Sequence, residues 1–498
     1  MSTLVLTALL VQAGTAVAAT IASPRPERAL RIATGGGAAS LVLALAGIVD
    51  TVARGGDRVG PVLVAFILAV TLLVQAFARG NLRGDPAAGR FAALAAWLAV
   101  AAGAAASALD LLAIALAWTA GTAIVIALLG HAGAWAQARV ARRRAAGALL
   151  IGDAALWVAV AAVLVDRGDL SIAGLAESSP TTAAVAGAGI AVAAVSRAAS
   201  VPFHGWLTAS LAAPTPVSAL LHAGFVNAGA VLLLRTSELP SPVAGIVVGA
   251  AGAITVVVAG AAMLTRPDVK GRLVHSTAAQ MGFMLLACAV GAWALALFHV
   301  IAHGLFKAAS FLGSGTLVPK SGADAAAGGA GAAGVSAPGR AVIGAADALA
   351  ALAPAAVALW LGGAASASSA LLLFTVLAVG VAANGALRGR AGRIGADWLL
   401  AAAAAGTGVA YVLATHAFGG WLGLDATPGA MPWIVVVVLA AVLGVLAIVS
   451  RRRGGVADVA YAFALGWARP PLPRPMVARS TGPRVASAAV PSEYGSRR

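Results

Sequence analysis

Charged side chains are sparse in this chain: Asp, Glu, Lys and Arg make up 10% of its 498 residues, where soluble domains carry about 25%. With 61% hydrophobic residues and a mean hydropathy of +0.96, that shortage excludes a soluble globular protein. The single cysteine, Cys288, excludes an intrachain disulfide and any cysteine-cluster metal site; inside an apolar run it reads as a small buried hydrophobe. The phosphate-cradling pattern GxxxxGK[ST] does not occur, so any energy the chain uses has to come from a gradient or a partner. The apolar-polar alternation of a transmembrane barrel is missing too, and the apolar runs continue over helix-spanning lengths. What is left is an all-α polytopic membrane protein whose first partner is the lipid bilayer.

A net charge of +16 could point to nucleic acid, but the basic residues are dispersed among loops between apolar runs, where they report orientation. No nucleic-acid partner is expected. Apolar segments fall near 2–22, 33–53, 59–78, 91–130 (two helices back to back), 145–165, 182–196, 215–234, 243–264, 273–290, 292–318, 341–361, 366–387, 396–415 and 433–450. They amount to about 14 or 15 spans. The first of them has no basic flank ahead of it, so it reads as a spanning helix rather than a cleavable signal. Alternate loops are strongly basic, from Arg25, Arg28 and Arg31 through Arg142, Arg143 and Arg144 to Arg451, Arg452 and Arg453. The others are mixed or acidic, as with Asp166, Arg167, Asp169 and Glu177. The positive-inside rule then puts the N-terminus outside and the C-terminus in the cytoplasm of a bacterial inner membrane.

The chain divides into N-terminal spans (1–90), a core (91–387) containing a flexible Gly/Ala-rich cytoplasmic loop (321–339), C-terminal spans (388–450) and a tail (451–498). That tail is basic and Pro/Ser-rich after a short YAFALGWA patch (Tyr461 to Ala468), and is expected to be cytoplasmic and either disordered or pinned to the anionic inner leaflet.

Within 292–318, AWALALFHVIAHGLFKAASFLGSGTLV places His299, His303 and Lys307 at every fourth position. On a helix they descend one face, about 6 Å of rise per step. A charge facing lipid at mid-bilayer costs between ~2.5 and ~15 kcal/mol, so this stripe should face other helices or buried water. Ionisable groups so placed mark a proton or ion path by default; the alternative is an interior hydrogen-bond brace. Lys307 favours the path, because a desolvated lysine can release its proton whereas arginine stays charged. The two histidines also have HExxH spacing, but no glutamate lies between them and no third ligand is near, so no metal is expected.

Residues 197–235 read RAASVPFHGWLTASLAAPTPVSALLHAGFVNAGAVLLLR. Pro202, Pro214 and Pro216 interrupt helical hydrogen bonding between two apolar runs. Irregular backbone at membrane depth is tolerated where protein or water satisfies it, so the interruption marks a cavity or pathway. His222 and Asn227 follow on an otherwise apolar helix.

This stretch resembles the signature of the proton-conducting, antiporter-like membrane subunits shared by respiratory complex I and multisubunit sodium/proton antiporters. The matching pattern is a basic residue, PFHxWL (Pro202 to Leu207) and PTPVSALxHA (Pro214 to Ala223), with Ser218 inside it. It continues through Asp268 to Thr277, Gln280-Met281-Gly282 and the His299, His303, Lys307 helix. The resemblance implies inverted-repeat bundles with discontinuous helices and a buried axis of lysines, histidines and a glutamate. On it, Arg197 stands where the family has a key lysine; His222, His299, His303 and Lys307 match axis residues. Two departures stand out. The family's Gly-Trp-Glu appears as Ala117-Trp118-Thr119, so Thr119 replaces the glutamate, and no lysine occurs in the later helices, where Asp347 is the nearest ionisable candidate.

HAGFVNAG (His222 to Gly229), the glycine in PFHGWL and the missing glutamate are similar to the DabB branch. That resemblance implies a membrane subunit of an inorganic-carbon accumulating complex, partnered by DabA, a large cytoplasmic-side zinc protein related to β-carbonic anhydrases. Carbon dioxide would be hydrated in the partner, and ion flow through this subunit would make the process one-way. No cofactor is expected in this chain. A complex I-type NADH-quinone oxidoreductase, a hydrogenase or a sodium/proton antiporter subunit is the alternative, and a membrane anchor with a decayed channel a third reading.

His204 reads as a brace of the interrupted segment, and His275, at the cytoplasmic start of a span, as a mouth of the path or an interfacial residue. His131 and His416 end helices and are assigned no function. Asp50, Asp110 and Asp153 lie in or beside apolar spans and could each pair with an interior basic group.

Overall fold

The structure is a computed structural model, and it describes residues 2–131, 133, 135–314, 394–424 and 455–468. Among the described residues the regular elements are helices: α1 (Thr3–Ile21), α2 (Pro26–Ala53), α3 (Val59–Asn81), α4 (Ala88–Ser107), α5 (Leu111–Leu129), α6 (Ala136–Arg167) and α7 (Pro180–Arg197). A short α8 (Gly205–Ala209) leads to α9 (Thr215–Ala223) and α10 (Ala228–Arg235). Then come α11 (Pro242–Thr265), α12 (Val269–Ala289), α13 (Trp293–Ser314), α14 (Ile394–Leu422) and α15 (Val456–Ala468). Nine of the described helical stretches are long and apolar enough to cross a bilayer, counting Thr215–Arg235 across its break. The protein is an all-α, multi-pass membrane protein. The expected spans at 341–361, 366–387 and 433–450, the loop 321–339 and Asp347 lie outside the described residues.

Helix starts follow the sequence. Asp110, Ser179, Ser241 and Asp268 each accept a backbone N–H in the first turn of α5, α7, α11 and α12, and Pro26 and Pro180 occupy first helical positions. Two boundaries move from their expected places. Arg139 and Arg142 to Arg144 lie inside α6 rather than in a loop, because the alanines among them carry the helix outward past the apolar run. Similarly α2 begins before Arg28 and Arg31.

The interruption after α7 is real. Pro214 and Pro216 open α9, which ends at Ala223; Phe225–Asn227 form a 3-10 turn before α10. Asn227 satisfies part of the interrupted backbone, its Nδ2 donating to the Ala223 carbonyl at 2.8 Å. Glycine sets how close the neighbours come. A side chain on Gly304 of α13 would run into the Phe66 ring of α3, and its Cβ would lie 2.6 Å from the Ala223 carbonyl of α9. The stripe helix is thereby seated directly on the broken helix.

One expectation is corrected. Of the tail expected to be disordered or pinned to the inner leaflet, the part Val456–Ala468 is not disordered: it is helical and packs on α11, burying Ala464 and Ala468. Residues 469–498 lie outside the described residues.

Candidate functional site: a buried histidine and lysine axis

The stripe faces protein, as its cost in lipid requires. Lys307 is 1% exposed, His303 3% and His222 0%, and His299 is half-buried. Lys307 Nζ donates to Ser276 Oγ at 2.5 Å and lies 3.4 Å from the Leu273 carbonyl, both on α12. One turn away, His303 meets α12 through Gln280 Oε1 at 2.7 Å and α9 through the His222 carbonyl at 3.2 Å. A further turn on, His299 Nδ1 lies 3.2 Å from the Tyr411 hydroxyl of α14, and its ring centroid is 5.7 Å from that of His303. His222 stacks on Phe311 at 4.4 Å, with its Nε2 3.0 Å from Ser210 Oγ. The outcome is a column of titratable groups along α13, with each neighbour across the interface offering a hydroxyl, an amide or a carbonyl.

At one end of the column, His275 Nε2 lies 3.4 Å from the Ala468 carbonyl, which also accepts from Arg266 Nη1 at 3.2 Å. His204 stacks on Trp467, centroids 4.1 Å apart. The last turn of α15 therefore covers both histidines. Lys270 is tied to the interrupted segment, donating to the carbonyls of Leu211 at 3.1 Å and Ala213 at 2.8 Å. Ser218 likewise holds that segment, 3.4 Å from the carbonyls of Ser210 and Ala213. Pro202 lies in the turn between α7 and α8, two residues before His204.

Arg197 stands apart from this column and has its own partner. Its guanidinium sits between the faces of Trp118 (3.7 Å) and Phe225 (4.3 Å). Nη2 donates to the Trp118 carbonyl at 3.1 Å and to Thr122 Oγ1 at 2.9 Å, and pairs with Asp153 Oδ1 at 3.4 Å. Thr122 in turn donates to the same carboxylate oxygen at 2.9 Å. Asp153 and Arg197 are 4% and 3% exposed, so the charges are compensated inside the bundle. Thr119, at the position of the family's glutamate, is turned away, accepting from Trp157 Nε1 at 3.1 Å. An apolar cavity of about 80 Å³ separates Arg197 from α13, with Asn227, Gly224 and Val300 among its walls.

The sequence had left Asp153 without a partner, Ser276 and Gln280 lay within the matched pattern without an assigned role, and Thr122 and Tyr411 were not singled out. Asp153 carried a signal as an acid within an apolar span, Ser276 and Gln280 only as members of the pattern. The rest are uncharged polar residues whose roles come from packing. Among the described residues no cluster of three or more His, Cys, Asp or Glu is arranged to hold a metal ion.

A helical bundle holds a broken member beside a column of buried ionisable groups, and comparison with known proteins shows what this arrangement is similar to. Residues 108–326 match the NADH:quinone oxidoreductase/Mrp antiporter transmembrane family. The similarity extends to proteins named as probable inorganic carbon transporter subunits. DabB of Bacillus subtilis is 34% identical over 272 residues, 53% of this chain and 53% of that protein. DabB2 of Halothiobacillus neapolitanus is 46% identical over 130 residues, 26% of this chain and 24% of that protein. NADH-quinone oxidoreductase subunit L of Escherichia coli is 44% identical over 128 residues, 25% of this chain and 21% of that protein. The alignments thus span between about a fifth and about a half of these relatives' lengths.

In overall fold the chain resembles the Mrp complex from Dietzia sp., with a TM-score of 0.61 and 24% identity over 93% of this chain and 59% of that one. It also resembles an archaeal membrane-bound sulfane sulfur reductase, with a TM-score of 0.56 and 16% identity over 93% of this chain and 98% of that one.

Proposed function

We propose that this chain conducts protons, or sodium ions, along the Lys307, His303, His299 and His222 column, and couples that flow to inorganic-carbon accumulation. The partner would be a large zinc-dependent, carbonic-anhydrase-like protein of the DabA kind on the cytoplasmic side of a bacterial inner membrane. The observation that carries the ion-conducting part is the burial of Lys307 against Ser276, with His303 and His299 each on a polar partner from a different helix. A buried lysine and histidines can exchange protons near neutral pH, where arginine cannot. His275 would serve the cytoplasmic mouth. Arg197, paired with Asp153, would act as a fixed charge and not as a carrier. The similarity to relatives named for inorganic-carbon transport supports the coupling reading.

A second reading, a proton-pumping subunit of a complex I-type NADH-quinone oxidoreductase, is favoured by the 44% identity to subunit L. One experiment separates the two. The protein is purified gently with its stoichiometric partner, assayed for zinc and iron, and reconstituted into vesicles to follow ion flux. Zinc without iron, with flux abolished by Lys307→Ala while the protein still inserts, supports the first reading. Iron with NADH-dependent quinone reduction supports the second, and full flux in Lys307→Ala removes the column from either.

A further inference from the structure

His303 touches two groups that make different demands on it. The His222 carbonyl, 3.2 Å from Nε2, can only accept, so Nε2 keeps its proton in every state of the ring. The Gln280 amide, 2.7 Å from Nδ1, can do either, because its C=O and NH2 exchange places by a half-turn of the last torsion. A neutral ring with its one N–H on Nε2 presents a bare lone pair at Nδ1 and pairs only with the NH2. A doubly protonated ring presents an N–H there and pairs only with the oxygen. Among the described residues the Gln280 side chain makes no other hydrogen bond, so nothing fixes the amide in one sense. One orientation fits each protonation state, and neither fits both.

We propose that Gln280 is a positioning residue that turns over with each proton His303 gains or loses, so that amide rotation gates the middle of the column. The proposal rests on the ion-conducting reading above. A proton passed from protonated His299 or Lys307 breaks one N–H bond there, leaving that group neutral, and forms one at Nδ1 after the NH2 has swung away; the amide oxygen then closes on it. The same proton leaves from Nδ1, while Nε2–H stays on the His222 carbonyl and no electrons move.

Other groups act on His303 from each packed helix. His299 and Lys307 flank it along α13, and His222 faces it from α9. Gln280 and Ser276 come from α12, and α14 reaches His299 through Tyr411. On the α3 side the near neighbour is the Phe66 ring beside Gly304. Of the uncharged side chains in this set, Gln280 is the one hydrogen-bonded to His303 itself, and it can reverse its polarity without moving its backbone; the Ser276 and Tyr411 hydroxyls bond Lys307 and His299 instead.

The test uses the full chain in vesicles, with Gln280→Met and Gln280→Glu measured across pH. Met removes the acceptor that stabilises the protonated ring, so the flux profile should move to lower pH. Glu offers only acceptors, so it should move to higher pH. Each variant should lower flux at neutral pH about tenfold, the equivalent of about 1.4 kcal/mol. Shifts in the same direction, or a loss of amplitude with an unmoved profile, would overturn the proposal, since a purely structural role produces the latter.

A second measurement is independent of transport. The chain has 7 histidines, so the ring nitrogens of His303 can be assigned by NMR with His303→Gln as the blank. The neutral ring should be the Nε2–H tautomer, and an Nδ1–H tautomer overturns the proposal. Full flux in Lys307→Ala would remove the ion path, whereas an intact path with unsplit Gln280 profiles would remove only the gate.

Discussion

Replacing Asp153 by Asn tests whether Arg197 is held by charge or by neutral hydrogen bonds. The substitution keeps an oxygen for the Thr122 hydroxyl, which donates at 2.9 Å, and removes the charge 3.4 Å from Arg197 Nη2. At 3.4 Å and an effective dielectric of about 20, the Coulomb attraction comes to about 5 kcal/mol. Removing one member of a buried pair typically costs about 3–5 kcal/mol, because the other is left uncompensated. An interhelical hydrogen bond inside a membrane bundle averages only about 0.6 kcal/mol. The two mechanisms therefore differ severalfold, and Asp153→Asn should lose about 3 kcal/mol or more.

Adding Arg197→Met to that variant removes the stranded guanidinium and should recover most of the loss, since Trp118 and Phe225 already offer it two aromatic faces. The assay is the unfolding free energy in mixed micelles titrated with an ionic detergent, for all four members of the double-mutant cycle. A loss below about 1 kcal/mol, or a double mutant equal to the sum of the singles, would refute the charge-pair account.

Other perturbations follow from the same geometry. Gly304→Ala forces α13 away from Phe66 and the Ala223 carbonyl, so His303 should lose its contact with the His222 carbonyl. Flux should fall at least tenfold with stability lowered by about 1–3 kcal/mol, and wild-type flux with unchanged melting would contradict this. Thr119→Glu puts an acid where the similar subunits carry a glutamate, yet that position faces Trp157. It should cost about 1 kcal/mol without raising flux, and a rise in vesicle flux would show that an acid there reaches the path.

Outside the membrane, Asp85 accepts from the Ala87 N–H at 2.8 Å and lies 2.9 Å from His131 Nε2. Burial pushes its carboxyl up, but the hydrogen bonds with His131 and Ala87 prevail and hold it below the ordinary value. A depressed carboxyl contributes stability above its unfolded pKa of about 3.9 and loses it as pH falls through the folded value. Melting between pH 5 and pH 2 should therefore lose a small increment, under about 1 kcal/mol at this part-exposed site, that Asp85→Asn lacks.

Much of this was legible in the chain itself. The stripe on α13 could be read because three ionisable residues at every fourth position are costly in lipid, and the broken helix because prolines announce it. Arg197 and Asp153 could be flagged singly but not joined: they lie 44 positions apart, and only the packing of α6 on α7 and α5 brings them together. Tyr411 was silent, and Ser276 and Gln280 were visible only as members of a matched pattern, since an uncharged polar residue in an apolar helix looks the same whether it braces a neighbour or serves a column of histidines. The helix 456–468 was misread for a different reason. Its apolar patch is too short to span, and only contact with α11 reveals what it buries.

The end of α15 has a practical consequence. Whatever is attached beyond Ala468 is in mechanical series with His275 and His204, through one carbonyl and one indole. A displacement of the last turn of α15 would therefore be felt by both histidines at once, whereas one near Thr3 would reach them only through other helices.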